Sequence, residues 1–469
     1  MVHGRKDFMT DHSRKHFTTV IYLTKQLLTS DILDDLWYNS QMLNKDKECQ
    51  STLQNQFYKP LEKALGCAIN TRDCTDYLDS MYLCAGVGRV IEAAKSGRAW
   101  VQHIQMLGTI TVSVRNFFSA LNSKRRLRLL IEVDQDVRAQ VNQRLKGHGD
   151  AFDDIPELSG FELYATDGHS HGASEHEEKI LGKKRAVNHI YSLNLRSHAM
   201  SHLALTEPAK GKKKEHEIAA IKRLGGWALR VGAPKGTKVI HAYDPAIIDY
   251  KEWYKWKRGN GVYIITVEKS NSAFMALGIH EWDTTDKRNA GVISDELVGT
   301  SNGVSIRRIG YVDPVAGTRY SFLTTEMTLP PGVIAFIYKI RWNIEKIYDE
   351  FKNTFSQQQA WGKSSTSKSQ QALFITLAHN LLVLLEHRLE VDEGIIDDKV
   401  RRRHAKCIAA GIEQARTENR TPNILVKKLS RVTQRSQQFI RWLRLGLTID
   451  PSWEYSVDQL RPLMQKYLL

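Results

Sequence analysis

An alternation of strand-like and helix-like segments begins after Pro156 and limits the folds available to this chain. The apolar run FELYATDG (161–168) is short and ends in Asp-Gly, which indicates a strand followed by a turn. HIYSLNLRSHAMSHLALT predicts one or two further strands, EHEIAAIKRLGGWALR a helix, TKVIHAYD a strand, PAIIDYKEWYKW a helix and GVYIITVEKS a third strong strand. Strands joined by helices predict an α/β fold, with a mixed sheet flanked by helices.

Two further segments complete this central region. Residues 258 to about 330 are rich in Gly, Thr and Ser and contain short alternating runs such as GVSIRRIGYVD, which predict an antiparallel β insertion. After Pro330-Pro331-Gly332, the stretch VIAFIYKIRWNIEKIYDEFKNTF predicts one long amphipathic helix. The sequence on both sides is helical in pattern. We therefore expect a helical region at 1–150, an α/β domain at 151–390 and a basic helical region at 391–469.

The charge of the chain predicts a polyanionic partner. Lys and Arg exceed Asp and Glu by 67 − 52 = 15, and the pI is about 9.4. The excess is uneven: residues 399–444 carry 13 basic and two acidic side chains. Such a segment repels itself unless an anion neutralises it, so nucleic acid is the first candidate, and a merely soluble basic protein is the alternative.

Cysteine usage and hydropathy predict where the protein works. The five cysteines are scattered without a Cys-x-x-Cys pair, which fits neither a disulfide framework nor a thiolate zinc site. The sequence MVHGRKDFMTDHSRKHF has no apolar signal core, and no run of about 18 apolar residues is evident. We expect a soluble cytoplasmic protein with no membrane partner.

Two aspartates close predicted strands of the central region. Asp167 ends FELYATDG and Asp244 ends TKVIHAYD. Because active sites of open α/β sheets collect beyond strand ends, the two carboxylates are expected to converge. An Asp after a strand is also a common turn former, so each signal alone is weak. Asp249 is the alternative to Asp244 as the second of the two carboxylates, but it is expected inside a helix.

Four residues of the predicted long helix share one face. Tyr338, Arg341, Glu345 and Lys352 lie at about 0°, −60°, −20° and −40° on a wheel of about 100° per residue. A surface ladder of helical charges is the simpler explanation, but it does not account for Tyr338. A carboxylate beside cations suits phosphodiester chemistry, since the carboxylate completes a metal site and the cations hold phosphates. Three carboxylates from three elements could hold two Mg²⁺ ions.

The stretch ATDGHSHGASEHEE (165–178) offers a competing metal site. His169 and His171, with His176 and Asp244, would suit a histidine-ligated metallohydrolase. That hypothesis leaves the shared helix face and the basic segment unexplained. We expect Asp167 to be the only metal ligand here, with the histidines on a following loop, because Gly168 would turn the chain away.

The spacing Tyr-x2-Arg-x3-Glu-x6-Lys, read in YKIRWNIEKIYDEFK, resembles the YREK signature of bacterial DDE transposases in the IS-four group of insertion sequences. The resemblance covers about residues 158–390. It implies a ribonuclease H-like core that cuts and rejoins DNA with Mg²⁺ or Mn²⁺. It also implies roles for six residues: Asp167, Asp244 and Glu345 would be the catalytic metal carboxylates, and Arg341 and Lys352 would contact phosphates, with Tyr338 beside them.

The same resemblance implies partners for the flanking regions. The amino-terminal region would bind the terminal inverted repeats, and the protein would act as a homodimer on transposon and target DNA, in association with the nucleoid. The basic carboxyl-terminal region would contact flanking duplex or the second subunit, and charge favours phosphate. Trp282, in the insertion, would stack on a flipped base or be an ordinary aromatic. A catalytically inactive DNA-binding relative is a further alternative. The candidate phosphate contacts in the basic carboxyl-terminal region are Arg401, Arg402, Arg403, Lys427 and Lys428.

Overall fold

The fold is that of a computed structural model, which describes residues 51–72, 77–108, 112–179, 182–184, 186–207, 215–428 and 434–465. The expectations for residues 1–50 therefore lie outside the described residues. Apart from Ser51, the described residues belong to one compact unit, Thr52–Leu469. The side chain of Lys427 is also outside the description.

One open, mixed sheet organises this unit. The strands found in the described ranges run in the order β3-β2-β1-β4-β5-β9-β8-β7-β6. β1 pairs in parallel with β4, and β4 with β5, whereas the other neighbours are antiparallel. This mixed α/β architecture is consistent with a ribonuclease H-like transposase fold. The strands are β1 (Phe161–His171), β2 (Val187–Asn194), β3 (Met200–Leu205), β4 (Lys238–Tyr243), β5 (Val262–Val267), β6 (Met275–Ile279), β7 (Val292–Gly299), β8 (Ser305–Val312) and β9 (Arg319–Thr324).

Helices surround the sheet, and several begin at a Ser, Thr or Asp whose side chain accepts a backbone N–H of the first turn. The helices are α1 (Leu53–Cys67), α2 (Asp79–Ile91), α3 (Gly97–Met106), α4 (Val114–Ala120), α5 (Lys124–Leu145), α6 (Glu217–Ala228), α7 (Tyr250–Asn260), α8 (Pro331–Ile340), α9 (Asn343–Asp349), α10 (Ser365–Val391), α11 (Asp398–Thr417), α12 (Gln437–Ile449) and α13 (Trp453–Gln465).

The two faces of the sheet bury different clusters. Along β1, Leu163 and Ala165 join the larger core, which includes α8, α9 and α10, whereas Tyr164 joins a smaller core with α6 and α7. This is the two-residue alternation of a strand buried on both faces. Odd-numbered residues of β1 therefore face α8–α10, and even-numbered residues face α6 and α7.

Helix α10 is the most apolar long helix of the described chain. It contains no uninterrupted run of about 18 apolar residues, but its length and mean hydropathy would allow it to cross a membrane; 78% of its apolar window is buried inside the protein. It packs against α5, α2 and β3. Burial by the protein's own elements accounts for its apolar character.

The antiparallel insertion continues the main sheet. β9 pairs with β5 through Ile265 and Thr324, and β8, β7 and β6 follow it outwards. A buried ion pair between Arg307 and Asp295, 2.6 Å apart, joins β8 to β7. The chain then returns to the core as α8.

Candidate active site

Asp167 and Asp244 each come directly after the last paired residues of two neighbouring parallel strands. Thr166 pairs with Tyr243 in the β1–β4 register, and the next residues along the sequence are Asp167 and Asp244. Adjacent strands lie about 4.8 Å apart, which brings the two carboxylates to one edge of the sheet. Asp244 directly follows β4, as predicted, and its Oδ1 accepts the Ala246 N–H at 2.8 Å.

The prediction that Asp167 ends its strand is wrong. β1 continues to His171 and stays paired with β2 up to Val187. Gly168 does not turn the chain, because its backbone remains extended in the ladder. Asp167 Oδ1 accepts the Gly168 N–H at 2.8 Å. The carboxylate therefore projects from within a strand, on the face toward α8–α10.

Arg341 connects Asp167 to Glu345. Its Nη2 donates to Glu345 Oε1 at 2.9 Å, and its Nη1 lies 3.6 Å from Asp167 Oδ2. The arginine is only 3% exposed, and its Nε and Nη1 have no hydrogen-bond partner. A buried cation with unused donors thus lies between carboxylates from two elements.

Burial dominates the electrostatics of Asp167. It raises the pKa of this carboxyl to about 6, against the lowering effects of the Gly168 N–H and Arg341, and with a further raising effect from Asp244 and Glu217. Burial alone would lower the pKa of Arg341, but Tyr338, Asp167 and Glu345 together raise it above its usual value. Asp167 and Arg341 thus influence the pKa of each other.

The prediction of one continuous helix across residues 333–355 is wrong. α8 ends at Ile340, and α9 starts at Asn343. Between them, turn hydrogen bonds replace the helical ladder: Arg341 N–H donates to the Tyr338 carbonyl, and Ile344 N–H donates to the Arg341 carbonyl. After α9, residues Glu350–Thr354 form a π-helical turn. Because the helix is broken and then underwound, an ideal wheel does not give the relative directions of its side chains.

The remaining two residues of the predicted helix face have different surroundings. Tyr338 is buried, and its ring centre lies 5.2 Å from that of Phe322 and 5.3 Å from Cζ of Arg341. Lys352 is exposed on the π-helical turn, and its charge contributes to lowering the pKa of His169. Tyr338 therefore packs against Arg341, whereas Lys352 lies at the surface near the buried His169 of β1.

The histidines of ATDGHSHGASEHEE were expected on a loop, and for two of them this is wrong. His169 and His171 are buried in β1, on the same face as Asp167, with ring centres 5.1 Å apart. His189 of β2 is 4.7 Å from His171, and His202 of β3 lies 5.1 Å beyond. Burial is the main cause that lowers their pKa values, to about 4 for His169 and His202 and about 3 for His171.

Only His176 follows the original expectation, since it is exposed after the strand. Within the described ranges, no three His, Cys, Asp or Glu side chains are gathered so as to hold a metal ion. This finding applies equally to the histidines and to the carboxylates of Asp167, Asp244 and Glu345. The buried rings of His169, His171 and His189 and the partly buried ring of His202 form a packed layer, in which His171 has no hydrogen-bond partner for either ring nitrogen.

Two residues of the site were not predicted. Glu217, the first residue of α6, lies against Gly168 so closely that any side chain at position 168 would overlap its carboxylate. Tyr348 donates its hydroxyl to the Asp167 carbonyl at 2.8 Å and stacks on His169. The sequence signal for Glu217 is ambiguous, because an acid at the start of a helix is usually explained by the helix dipole.

Asp249 and Trp282 lie in other environments. Asp249 is the N-cap of α7, not an interior helical residue as expected, and accepts the Glu252 N–H at 3.1 Å. It also forms an ion pair with Lys222. Trp282 is half-buried in the loop after β6. Asp249 thus has a structural role that Asp244 does not share.

The basic carboxyl-terminal segment divides into exposed and internal cations. Arg401, Arg402 and Arg403 are exposed on α11. Lys428, by contrast, forms an ion pair with Asp154 and is largely covered. Several described cations of this segment bond within the protein, so the count from sequence overstates the surface charge; they include Arg416, Arg420, Lys428, Arg435 and Arg444.

The donor chemistry of the site fits a hard divalent cation. Asp167, Asp244 and Glu345 offer carboxylate oxygens, the ligands preferred by Mg²⁺ and Mn²⁺. The buried Arg341 already supplies compensating charge to two of them. A divalent ion at these carboxylates would therefore have to compete with the Arg341 guanidinium for their oxygens.

Comparison with known proteins gives one family. No curated protein matches the chain. Residues 193–381 match the family model described as "Transposase DDE domain". The matched segment includes Asp244 and the residues Tyr338 to Lys352, and it begins after Asp167. This match supports a DDE transposase, a polynucleotidyl-transferase or endonuclease type of enzyme that acts on DNA and generally uses divalent metal ions.

Proposed function

We propose that the protein is a transposase of the YREK-bearing IS-four group, which binds transposon ends and catalyses metal-dependent DNA cleavage and strand transfer. Its catalytic carboxylates are Asp167, Asp244 and Glu345. The observation that carries this proposal is the β1–β4 register, in which Thr166 pairs with Tyr243, so that Asp167 and Asp244 each come one residue after the last pair. Arg341 then connects Asp167 to Glu345.

The three carboxylates would hold the metal, Mg²⁺ or Mn²⁺, which when bound supplies Lewis-acid stabilisation to the attacking and leaving oxygens. Tyr348 donates its hydroxyl to the Asp167 carbonyl. This bond fixes the backbone from which the Asp167 carboxylate projects. Arg341 contacts the carboxylates of Asp167 and Glu345. When DNA binds, its guanidinium exchanges one of them for a phosphate oxygen. Lys352, exposed on the neighbouring turn, contacts a phosphate beside the cut.

Binding of duplex DNA extends beyond the catalytic residues. Arg401, Arg402 and Arg403 form an exposed basic stretch near the start of α11 that suits phosphates of the flanking duplex. We assign recognition of the terminal inverted repeats to the amino-terminal region and place two subunits on the paired ends. A bacterial cytoplasmic location, in contact with the nucleoid, follows from that substrate.

The decisive experiment uses the DNA that flanks the gene. Short inverted repeats bounded by a small direct duplication would identify the ends. A labelled duplex carrying one end is then incubated with the full chain and Mg²⁺ or Mn²⁺, with EDTA as the metal-free control. Asp244→Asn is compared with Asp249→Asn, because both remove one carboxylate from the same segment and Asn remains a good N-cap at position 249.

We expect cleavage by the natural protein and by Asp249→Asn, and none by Asp244→Asn, which should still shift the duplex in a gel. If the natural protein binds the end but does not cut it with either metal, the protein is a DNA-binding relative without catalytic activity. If Asp249→Asn is the inactive variant, the assignment of the second carboxylate is wrong.

A further inference from the structure

A buried arginine from the carboxyl-terminal region connects to the turn that carries Lys352. Nη1 of Arg435 lies 2.7 Å from Oε2 of Glu350, and its Nη2 lies 2.9 Å from Oε2 of Glu386. The side chains of Arg435 and Glu350 are each 3% exposed. Glu350 is the first residue of the π-helical turn, and Lys352 is the third.

The same turn receives two more contacts from this region. Arg444 of α12 donates from Nη2 to the Thr354 carbonyl at 2.8 Å and from Nε to the Ile91 carbonyl at 2.6 Å. Gln437 approaches the Thr354 hydroxyl at 3.5 Å. Both ends of the turn, Glu350 and Thr354, are therefore bonded to the segment 435–444.

A π-helical turn has weaker internal support than an α-helix, since its i→i+5 pattern leaves the ladder underwound. Contacts from outside therefore contribute more to its geometry. A buried arginine–carboxylate pair is weak evidence for stability, because desolvation offsets much of the attraction. Its directional, forked hydrogen bonds do, however, fix the position of the groups that they join.

We propose that Arg435 is a positioning residue, which acts by holding the Glu350–Thr354 turn so that Lys352 points to the DNA backbone beside the carboxylates. This rests on the proposed function, since Lys352 is useful there only if DNA is bound. The basic carboxyl-terminal region then has two distinct roles: exposed arginines of α11 contact duplex DNA, whereas buried Arg435 orders the active site.

The first test compares two isosteric changes, Glu350→Gln and Glu386→Gln. Each removes one carboxylate charge from Arg435, but only Glu350 belongs to the turn. Backbone hydrogen exchange of residues 350–358 is measured in the full chain without DNA. We expect faster exchange in Glu350→Gln and in Arg435→Gln, and natural exchange in Glu386→Gln and in the exposed control Arg441→Gln.

The second test asks whether Arg435 acts through Lys352. Single-turnover cleavage of pre-bound end DNA is compared for Arg435→Gln, Lys352→Ala and the double variant. Each single change should slow cleavage by about tenfold, the size of one lost charge-assisted hydrogen bond. The double variant should be no slower than Lys352→Ala alone, and Arg435→Lys should recover part of the rate.

The outcomes separate the two proposals. The role of Arg435 would be overturned if the rate losses of the two single variants multiply in the double variant. It would also be overturned if hydrogen exchange of residues 350–358 is unchanged in Glu350→Gln. Either result would leave the transposase proposal intact. If Arg435→Gln does not fold, Glu350→Gln takes its place in both measurements. If the natural protein does not cleave end DNA, the transposase proposal fails and the proposed role of Lys352 fails with it, whereas exchange at 350–358 still reports whether Arg435 anchors the turn.

Discussion

Arg341 donates to Glu345 at 2.9 Å although the helix is broken between them. The same guanidinium lies 3.6 Å from Asp167, a residue of the sheet. It therefore supplies the positive charge that two of the proposed catalytic carboxylates require when they are close together. In the proposed reaction, a divalent metal ion would have to compete with this arginine for the same oxygens.

This competition predicts that removal of Arg341 strengthens metal binding in the absence of DNA. Arg341→Gln deletes the charge but keeps a hydrogen-bonding side chain, so Asp167 and Glu345 lose their internal counter-ion. We expect the Kd for Mn²⁺, measured by calorimetry on the DNA-free protein, to fall. Cleavage of end DNA should nevertheless become slower, because a phosphate contact is lost.

Lys352→Ala is the appropriate comparison for this measurement, because Lys352 is exposed and also carries a positive charge near the site. It should change the Kd for Mn²⁺ less than Arg341→Gln does. Equal or weaker Mn²⁺ binding by Arg341→Gln would contradict the competition.

Each proposed catalytic carboxylate has its own substitution. Asp167→Asn, Asp244→Asn and Glu345→Gln should each abolish metal-dependent cleavage, because neutral amides are poor ligands for Mg²⁺. Electrophoretic shift of the end duplex should persist in all three variants. Normal cleavage by one of them would remove that residue from the site.

The sequence correctly predicted that Asp244 stands at a strand end but not that Asp167 lies within a strand, and the difference has a physical reason. β4 is short and ends at Tyr243, and Asp244 is directly followed by Pro245, so the aspartate stands at the strand end. Asp-Gly after β1 has the composition of a turn, but the strand continues because His169 and His171 bury their rings on the same face as Asp167. Local turn preference was overridden by tertiary packing.

The long helix shows a similar limit. Periodicity correctly predicted that residues 333–355 bury an apolar face, but nothing in this stretch is a Pro or Gly that would indicate a break at Arg341. The break is associated with contacts to Asp167, which is 174 residues earlier in the chain and cannot be inferred from a local pattern. The fold class was predictable, whereas the directions of the site's side chains were not.

Exposed and paired cations of the carboxyl-terminal region should differ in DNA binding. Arg401→Gln and Arg403→Gln should each lower the slope of log K against log salt concentration by about one unit per lost phosphate contact, and the affinity loss should be greatest at low salt. Lys428→Gln should leave the slope unchanged, because its ammonium is paired with Asp154. A lower slope for Lys428→Gln alone would reverse this assignment. Loss of dimers without loss of affinity would indicate an assembly surface.

Gly168 is predicted to be needed for space beside Glu217. Its backbone is extended, so alanine is allowed by conformation, but the added methyl group would overlap the Glu217 carboxylate. Gly168→Ala should lower the free energy of unfolding by about 1 kcal/mol, the low end for overpacking, because the overlapping atoms are the far end of the flexible Glu217 side chain. Glu217→Ala in the same chain should restore most of it.

Gly160→Ala is the matched control, since nothing lies within 4 Å of a methyl group at that position. Urea unfolding of the four proteins measures the effect. If Glu217→Ala does not relieve Gly168→Ala, the two residues are not in the contact described.

The buried histidine layer predicts a loss of stability in acid. Burial lowers the pKa of His171 from 6.5 to about 3, with smaller contributions from His169, His202 and Lys352. The unfolded chain therefore binds a proton at this position below pH 6.5, whereas the folded protein does not. Since the unfolded state binds more protons in that range, the free energy of unfolding is highest above pH 6.5 and falls as the pH is lowered toward 3.

His171→Leu should weaken this pH dependence. The substitution removes the titrating ring, and it leaves no hydrogen-bond partner unpaired, because neither ring nitrogen of His171 has one. We expect the variant to lose about 2 kcal/mol less than the natural protein between about pH 7.5 and about pH 5 in urea unfolding. Some pH dependence should remain, since burial also lowers the pKa values of His169, His189 and His202. Exposed His176, changed to Gln, should reproduce the natural curve, and a His171→Leu curve identical to it would show that His171 does not resist protonation in the folded protein.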